Sequence, residues 1–216
     1  MNKSSTFSDK NANTQGDEDY SRNALRQIFR EKRNALTPHQ QILAAKGVLS
    51  QAINHNLFIN CKRVGIYLTN EGELNTQPII EYLWEQGVNV FLPVLHPFSN
   101  GYLVFLQYTP STKMKPNVYG ILEPLLDVTK LCPIAQLDMI LAPLVAFDEK
   151  GNRMGMGGGF YDRTIKHIAN KDSMDAIRKT RLIGLAHDVQ HTLSLPTQVW
   201  DIPLPAILTP TTLYSF

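Results

Sequence analysis

Residues 139–169, MILAPLVAFDEKGNRMGMGGGFYDRTIKHIA, give the clearest indication of the fold class. It begins with a run of apolar residues that lacks polar alternation, which indicates a strand covered on both faces, as in a parallel sheet. Five of the chain's 13 glycines follow between residues 151 and 159. The stretch ends in a segment with the length and apolar spacing of a short helix. A strand, a glycine-rich loop and a helix in this order predict an α/β fold.

Other apolar runs extend this pattern along the chain. Strands are predicted at residues 63–69, 89–95, 102–108, 181–187 and 206–209. Residues 76–87 have the spacing of a crossover helix that ends at Gly87. Residues 110–135 contain several prolines and predict a long excursion over the surface. The whole pattern predicts a three-layer α/β fold in a single domain, with a mostly parallel sheet flanked by helices.

The N-terminal part of the chain predicts a tail followed by two helices. Residues 1–19 are polar and offer too little apolar surface to offset the entropy of ordering them, so we expect a disordered tail before a domain at residues 20–216. From Tyr20, apolar residues at helical spacing accompany a stripe of arginines, namely Arg22, Arg26, Arg30 and Arg33. Thr37 and Pro38 predict the cap and first position of a second helix.

Composition excludes several classes of protein. The 216 residues are 43% hydrophobic and 19% charged, with a formal net charge of +2, as in ordinary globular proteins. Such a balance leaves no broad basic face for nucleic acid. The two cysteines form no CxxC or metal-type spacing. No apolar run reaches the roughly 18 residues of a membrane span, and the first residues lack the apolar core of a secretory signal. We therefore expect a cytoplasmic protein that binds no nucleic acid or membrane, and separately we expect a monomer.

The glycine loop has the composition of a phosphate cradle. Glycines let backbone N–H groups approach an anion, and the N-terminus of the following helix adds a partial positive charge. Arg153 before the glycines and Asp162 after them are the cation and the carboxylate that nucleotide and Mg²⁺ chemistry requires. The loop is neither a P-loop, since no Gly-Lys-Ser/Thr follows, nor a dinucleotide fingerprint, since Phe160 replaces the third glycine. A surface hairpin without a ligand is the alternative.

The segment LVAFDEKGNRMGMGGGFYDR, residues 144–163, resembles the signature of the 5-formyltetrahydrofolate cyclo-ligase family, also called methenyltetrahydrofolate synthetases. Three other segments are similar to that family: RNALRQIFREKRNAL at 22–36, GELNT at 72–76 and WDIPLPAILTP at 200–210. The resemblance extends from Ser21 to Pro210. It implies an ATP- and Mg²⁺-dependent enzyme that converts 5-formyltetrahydrofolate to 5,10-methenyltetrahydrofolate, with ADP and phosphate as the other products.

The resemblance also implies a role for individual residues. The nucleotide phosphates would be bound by Arg22, Arg26, Arg153, Gly155, Met156, Gly157, Gly158, Gly159, Phe160 and Tyr161. The catalytic residues would be Arg153 and Asp162. The metal would be held by Asp162, with Asp201 as a second candidate, and the folate by Leu68, Glu73 and Tyr119. This chain departs from the family pattern at Met156 and Gly158, where some members carry basic side chains, and at Pro205, where others have an acid.

Simpler interpretations of the same residues stay open at this point. The arginine stripe could be a solvated helix face, Glu73 an exposed turn acid, Leu68 a core residue and Asp201 a turn cap. A sugar-phosphate isomerase or a CoA-transferase-like enzyme could use a similar sheet and would need no ATP. A nucleic-acid-binding module is disfavoured by the low net charge.

Overall fold

Four helices and twelve strands form the part of the chain that the structure, a computed structural model, describes, namely residues 12–169 and 180–216. In chain order they are α1 (Ala12–Asn34), α2 (Pro38–Asn54), β1 (Arg63–Gly65), α3 (Gln77–Glu85), β2 (Asn89–Leu95), β3 (Leu103–Tyr108), β4 (Met114–Pro116), β5 (Leu122–Pro124), β6 (Leu131–Cys132), β7 (Met139–Pro143), β8 (Ala146–Phe147), β9 (Arg153–Met154), α4 (Phe160–Ala169), β10 (Arg181–Leu185), β11 (Ala206–Leu208) and β12 (Leu213–Ser215). Within these ranges no helix is both long and apolar enough to span a bilayer.

The central sheet has eight strands in the order β12-β11-β10-β7-β1-β2-β3-β6. Its five middle strands, β11, β10, β7, β1 and β2, are parallel to their neighbours in this group. The pairings of β12, β3 and β6 are antiparallel and lie toward the edges. This arrangement confirms the predicted α/β class with a mostly parallel sheet. Antiparallel pairing of β2 and β3 suits their short connection, since parallel strands need a longer crossover.

Alternate residues of β7 face opposite layers of the core. Met139 and Leu141 pack in the cluster that holds buried residues of α2 and α3, whereas Ile140 and Ala142 pack in the cluster that holds Ile165 of α4. Burial on both faces is the physical reason why the run shows no polar alternation. The three predicted layers are therefore confirmed.

The helix ends follow the predicted capping signals. Thr37 caps α2, with the Gln40 backbone N–H donating to its Oγ1 at 3.3 Å and Pro38 at the first helical position. Gly87 follows α3 with φ of 69°, the left-handed conformation expected after a helix. At the other end, α1 begins at Ala12, before the predicted start at Tyr20. Residues 1–11 of the predicted tail lie outside the described residues.

The apolar run at residues 139–147 does not form one strand. β7 ends at Pro143, and residues 146–147 form β8, which pairs with β9 in a separate two-stranded sheet. Proline at the end of β7 lacks the N–H that a continuing ladder would need. The chain therefore leaves the central sheet there and folds back as a hairpin that carries Arg153. The predicted excursion at 110–135 also contains short strands, β4, β5 and β6.

Candidate active site

A cavity of about 480 Å³ lies at the carboxyl ends of β1, β2 and β7. Ligand sites of parallel α/β sheets lie at this edge, because the loops that follow the strands meet there. The predicted site residues in its lining are Leu68, Glu73, Tyr119, Arg153, Gly155, Met156, Gly158, Gly159, Phe160, Tyr161 and Asp162. Tertiary folding thus brings the predicted folate residues and the glycine loop to one cavity.

The glycine loop is held in shape from both sides. Arg26 of α1 donates from Nε to the Gly155 carbonyl at 3.0 Å, and Arg163 of α4 donates to the Gly158 carbonyl. Gly157 and Gly159 have φ of 101° and 63°, conformations that L side chains rarely adopt. A β-carbon at position 159 would also meet the Arg163 guanidinium at 2.8 Å. The backbone conformation therefore favours glycine at both positions.

Arg153 and Asp162 form a buried ion pair at the start of α4. The Arg153 Nη2 lies 2.6 Å from the Asp162 Oδ1, and the two side chains are 3% and 25% exposed. Nη1 of Arg153 donates to the Ile202 carbonyl. Burial lowers the pKa of the Arg153 guanidinium, while the charges of Asp162 and Asp201 oppose that effect. The ion pair holds the Arg153 guanidinium beside the glycine loop, and the Asp162 carboxylate lies on the cavity wall.

Arg22 and Asp201 form a second ion pair, which joins α1 to the C-terminal segment. Nη1 and Nη2 of Arg22 lie 2.6 and 3.1 Å from Oδ2 and Oδ1 of Asp201. Arg22 also donates to the Pro196 carbonyl at 2.8 Å, and the Gln198 backbone N–H donates to Asp201 at 2.8 Å. Among residues 12–169 and 180–216, no three His, Cys, Asp or Glu side chains cluster as a metal site would.

The three residues predicted to bind folate differ in burial. Glu73 is only 11% exposed in its side chain, so the exposed-turn interpretation is wrong. Burial raises the pKa of its carboxyl to about 7, opposed mainly by the charge of Arg33, and Oε2 accepts from the Asn70 N–H at 3.2 Å. Leu68 is half-buried in the cavity wall. Tyr119 is exposed and packs edge-to-face on Phe160 of the glycine loop, with the ring centroids 5.9 Å apart.

Four buried residues close to the site were not predicted as part of it. Arg33 is fully buried near Glu73, which shows that the solvated-face interpretation of the arginine stripe is wrong for this residue and for buried Arg22. The spacing of Arg22, Arg26 and Arg33 on one helix face was the available signal. The second residue is Tyr67, whose phenol pKa is raised by burial. The third is His187, whose ring faces the backbone of residues 72–73 and whose pKa is lowered by burial. The fourth, Gln190, donates to the carbonyls of Leu144 and Val145.

Known proteins resemble this chain in sequence and in fold. The model of the 5-formyltetrahydrofolate cyclo-ligase family matches residues 18–210. A 5-formyltetrahydrofolate cyclo-ligase of Escherichia coli strain K12 is 44% identical over 189 residues, which cover 88% of this chain and all of the relative. The 5-formyltetrahydrofolate cyclo-ligase of Haemophilus influenzae is 45% identical over 187 residues, which cover 87% of this chain and 96% of the relative. The NMR structure of Aquifex aeolicus 5,10-methenyltetrahydrofolate synthetase has a TM-score of 0.74 at 25% identity, covering 90% of this chain and 92% of its own.

Proposed function

This chain belongs to the 5-formyltetrahydrofolate cyclo-ligase family, and from that premise we propose that it converts 5-formyltetrahydrofolate and ATP to 5,10-methenyltetrahydrofolate, ADP and phosphate. One observation carries the proposal beyond family membership. Glu73 and the glycine loop line the same cavity, so a carboxylate that would accept from a pterin and a loop that would bind phosphates face one volume. A reaction that joins the two substrates requires this proximity.

ATP is the nucleotide in this proposal, with its phosphates on residues Gly155 to Tyr161 at the start of α4. Arg153 and Arg26 supply positive charge on either side of the loop, which stabilises charge that develops as the γ-phosphoryl group moves. Arg22 already makes two contacts with Asp201. The Arg22 guanidinium would bind the nucleotide only if it gave up one or both of its hydrogen bonds to the Asp201 carboxylate. Met156 and Gly158 contribute backbone N–H groups but no charge, so the arginines matter more here than in relatives with basic loop residues.

Magnesium fits this site as an ion that arrives with the nucleotide. Mg²⁺ in nucleotide sites usually takes one or two carboxylates together with phosphate oxygens and water, so a three-carboxylate cluster is not required. Asp162 suits this role because Arg153 contacts its Oδ1 and the side chain reaches the cavity. Asp201 could coordinate only if Arg22 released one of its oxygens. Bound Mg²⁺ would neutralise charge on the phosphates.

The folate would bind with its pterin against Glu73 and an aromatic ring against Tyr119. The ionised Glu73 carboxylate accepts hydrogen bonds from pterin N–H groups, and Leu68 supplies an apolar wall. The formyl oxygen attacks the γ-phosphorus, and ADP leaves. N10 then attacks the formyl carbon, and phosphate departs with the former formyl oxygen and can accept the N10 proton. The protein therefore contributes orientation and charge more than acid-base chemistry.

The setting of the enzyme is also part of the proposal. A cytoplasmic location is supported by Cys61 and Cys132, which are both buried free thiols. We expect a monomer with small-molecule substrates and without nucleic acid or membrane partners, in keeping with the net charge of +2. Gel filtration with light scattering would test the oligomeric state.

The decisive experiment measures methenyl product by its absorbance, with and without ATP. We expect product only with ATP, and ADP release in a coupled assay should match it one to one. Product that forms equally fast without ATP would contradict the proposal. ATP hydrolysis that does not depend on the folate would also contradict it.

A further inference from the structure

Arg33 is one of the largest completely buried side chains among the residues that the structure describes, with an exposure of 0%. It lies on α1, between the half-exposed Arg30 and the start of α2. Burial lowers the pKa of its guanidinium, as expected when a cation is removed from water. A cation is retained at such a position only where its donors are satisfied and a negative charge is close.

The guanidinium joins three segments that line the cavity. Nε donates to the Glu71 carbonyl at 2.9 Å, and Nη1 lies 3.4 Å from the Leu144 carbonyl just after β7. Nη2 lies 3.8 Å from the Met156 sulfur in the glycine loop. The turn that carries Glu73, the end of a central strand and the glycine loop thus share one side chain. Because Arg33 lies behind the cavity wall, it acts on the site through these segments.

Arg33 also forms an ion pair with Glu73. Its Nη1 lies 3.9 Å from Oε1 of that carboxylate. The titratable groups that face Glu73 from the surrounding elements are Arg33, Glu71, Tyr67, Tyr161 and His187. Glu71 is negative, the two phenols have raised pKa values, and burial lowers the pKa of His187. Arg33 is therefore the charge that favours the ionised form of Glu73.

We propose that Arg33 is a positioning residue for folate recognition, which supplies the counter-charge of the Glu73 carboxylate and holds the Glu73 turn against the glycine loop. The inference rests on the proposed function, in which Glu73 accepts hydrogen bonds from the pterin. It adds a residue that does not touch the substrate but favours the ionised form of one that does.

The test measures the Kd of 5-formyltetrahydrofolate by calorimetry between pH 6 and 9. In the parent protein, binding should strengthen as Glu73 ionises, with a midpoint near its pKa of about 7. Arg33→Met removes the opposite charge and should raise that midpoint by about one pH unit or more. Affinity should then fall about fivefold or more at pH 7 and recover in large part by pH 9. A purely structural role would weaken binding without moving the midpoint.

Two variants serve as controls. Arg30→Met makes the same substitution one turn earlier on α1, in an arginine that pairs with Glu71 at 2.7 Å while both side chains are over 40% exposed. Because solvent screens this pair, the midpoint should stay at the parent value. Arg33→Lys keeps the charge but loses the planar fork, so it should keep the midpoint near the parent value while binding is weaker at every pH.

A double variant separates the failure of this inference from failure of the proposed function. Glu73→Gln alone must weaken folate binding if Glu73 contacts the pterin, and no loss would overturn the proposed role of Glu73. Arg33→Met combined with Glu73→Gln should show no further pH effect, because the titrating group is gone. If Arg33→Met alone does not fold, the midpoint is measured in Arg33→Gln, which is also neutral but keeps an amide donor for the buried carbonyls, and an unchanged midpoint there overturns the inference as well. An unchanged midpoint in Arg33→Met, or one shifted as far in Arg30→Met, overturns the inference.

Discussion

Replacing Gly157 by alanine separates a phosphate cradle from a simple hairpin. Gly157 has φ of 101°, and an added β-carbon would meet nothing closer than the Arg26 guanidinium at 3.8 Å, an ordinary contact. The penalty in the free protein is therefore conformational and not steric. A left-handed backbone costs a residue with a β-carbon roughly 1–2 kcal/mol, which for a domain of this size lowers Tm by about 2–8 °C.

Gly87→Ala is the matched control for this conformational penalty. Gly87 has φ of 69° and no atom within 4 Å of an added β-carbon. It follows α3 and precedes the amino end of β2, at the sheet edge opposite the cavity. We expect the two variants to lose similar stability in scanning calorimetry. A difference in ATP binding between them therefore reports the place of Gly157 in the glycine loop and not a general loss of stability.

Only Gly157→Ala should weaken ATP binding. A loop that relaxes toward negative φ turns its N–H groups away from the phosphates, and one lost hydrogen bond to a charged group is worth roughly 1.5–3 kcal/mol, or about 10- to 100-fold in Kd. Titration calorimetry with ATP would measure this loss. If Gly157→Ala binds ATP as tightly as Gly87→Ala does, the loop is a hairpin and the cradle interpretation is refuted.

Three other substitutions test the remaining parts of the site. Asp162→Asn keeps an acceptor for Arg153 but removes the charge, so kcat should fall at least about tenfold and recover in part as Mg²⁺ is raised; an unchanged Mg²⁺ dependence in steady-state kinetics would exclude Asp162 as a metal ligand. Arg26→Ala removes the donor to the Gly155 carbonyl, and the lower kcat/KM for ATP should correspond to a loss of roughly 2–4 kcal/mol of transition-state stabilisation. A change confined to the KM of the folate would contradict the role of Arg26 at the nucleotide. The pKa of Glu73 is about 7 in the folded protein and 4.5 as its ordinary value, so the protonated carboxyl stabilises the fold. This contribution to the free energy of unfolding is complete below pH 4.5 and is lost as the pH rises through about 7, a loss of about 3 kcal/mol. Glu73→Gln lacks that loss, so its Tm relative to the parent should rise from pH 5 to pH 8, and a constant Tm difference would show that Glu73 is not a buried titrating acid.

Local features of the sequence determined the fold class and the glycine loop. The continuous apolar run at 139–147 predicted a strand buried on both faces, because a strand in a parallel sheet is covered on both sides. Thr37, Pro38 and Gly87 predicted helix ends, since capping depends on residues within one turn. The order of Arg153, the glycines and Asp162 predicted a cradle for the same reason, as its parts lie within ten residues.

Tertiary structure alone decided which charges meet and which are buried. Arg22 pairs with Asp201 across 179 positions of sequence, a contact that no local pattern encodes. The arginine stripe of α1 could have faced solvent, and it is the packing of the Glu73 turn and the glycine loop that buries Arg33 behind the cavity. Pairing with that buried cation separates Glu73 from an ordinary turn acid. Helical periodicity determines which residues share a face, but burial and the pKa shifts that follow depend on what packs against that face.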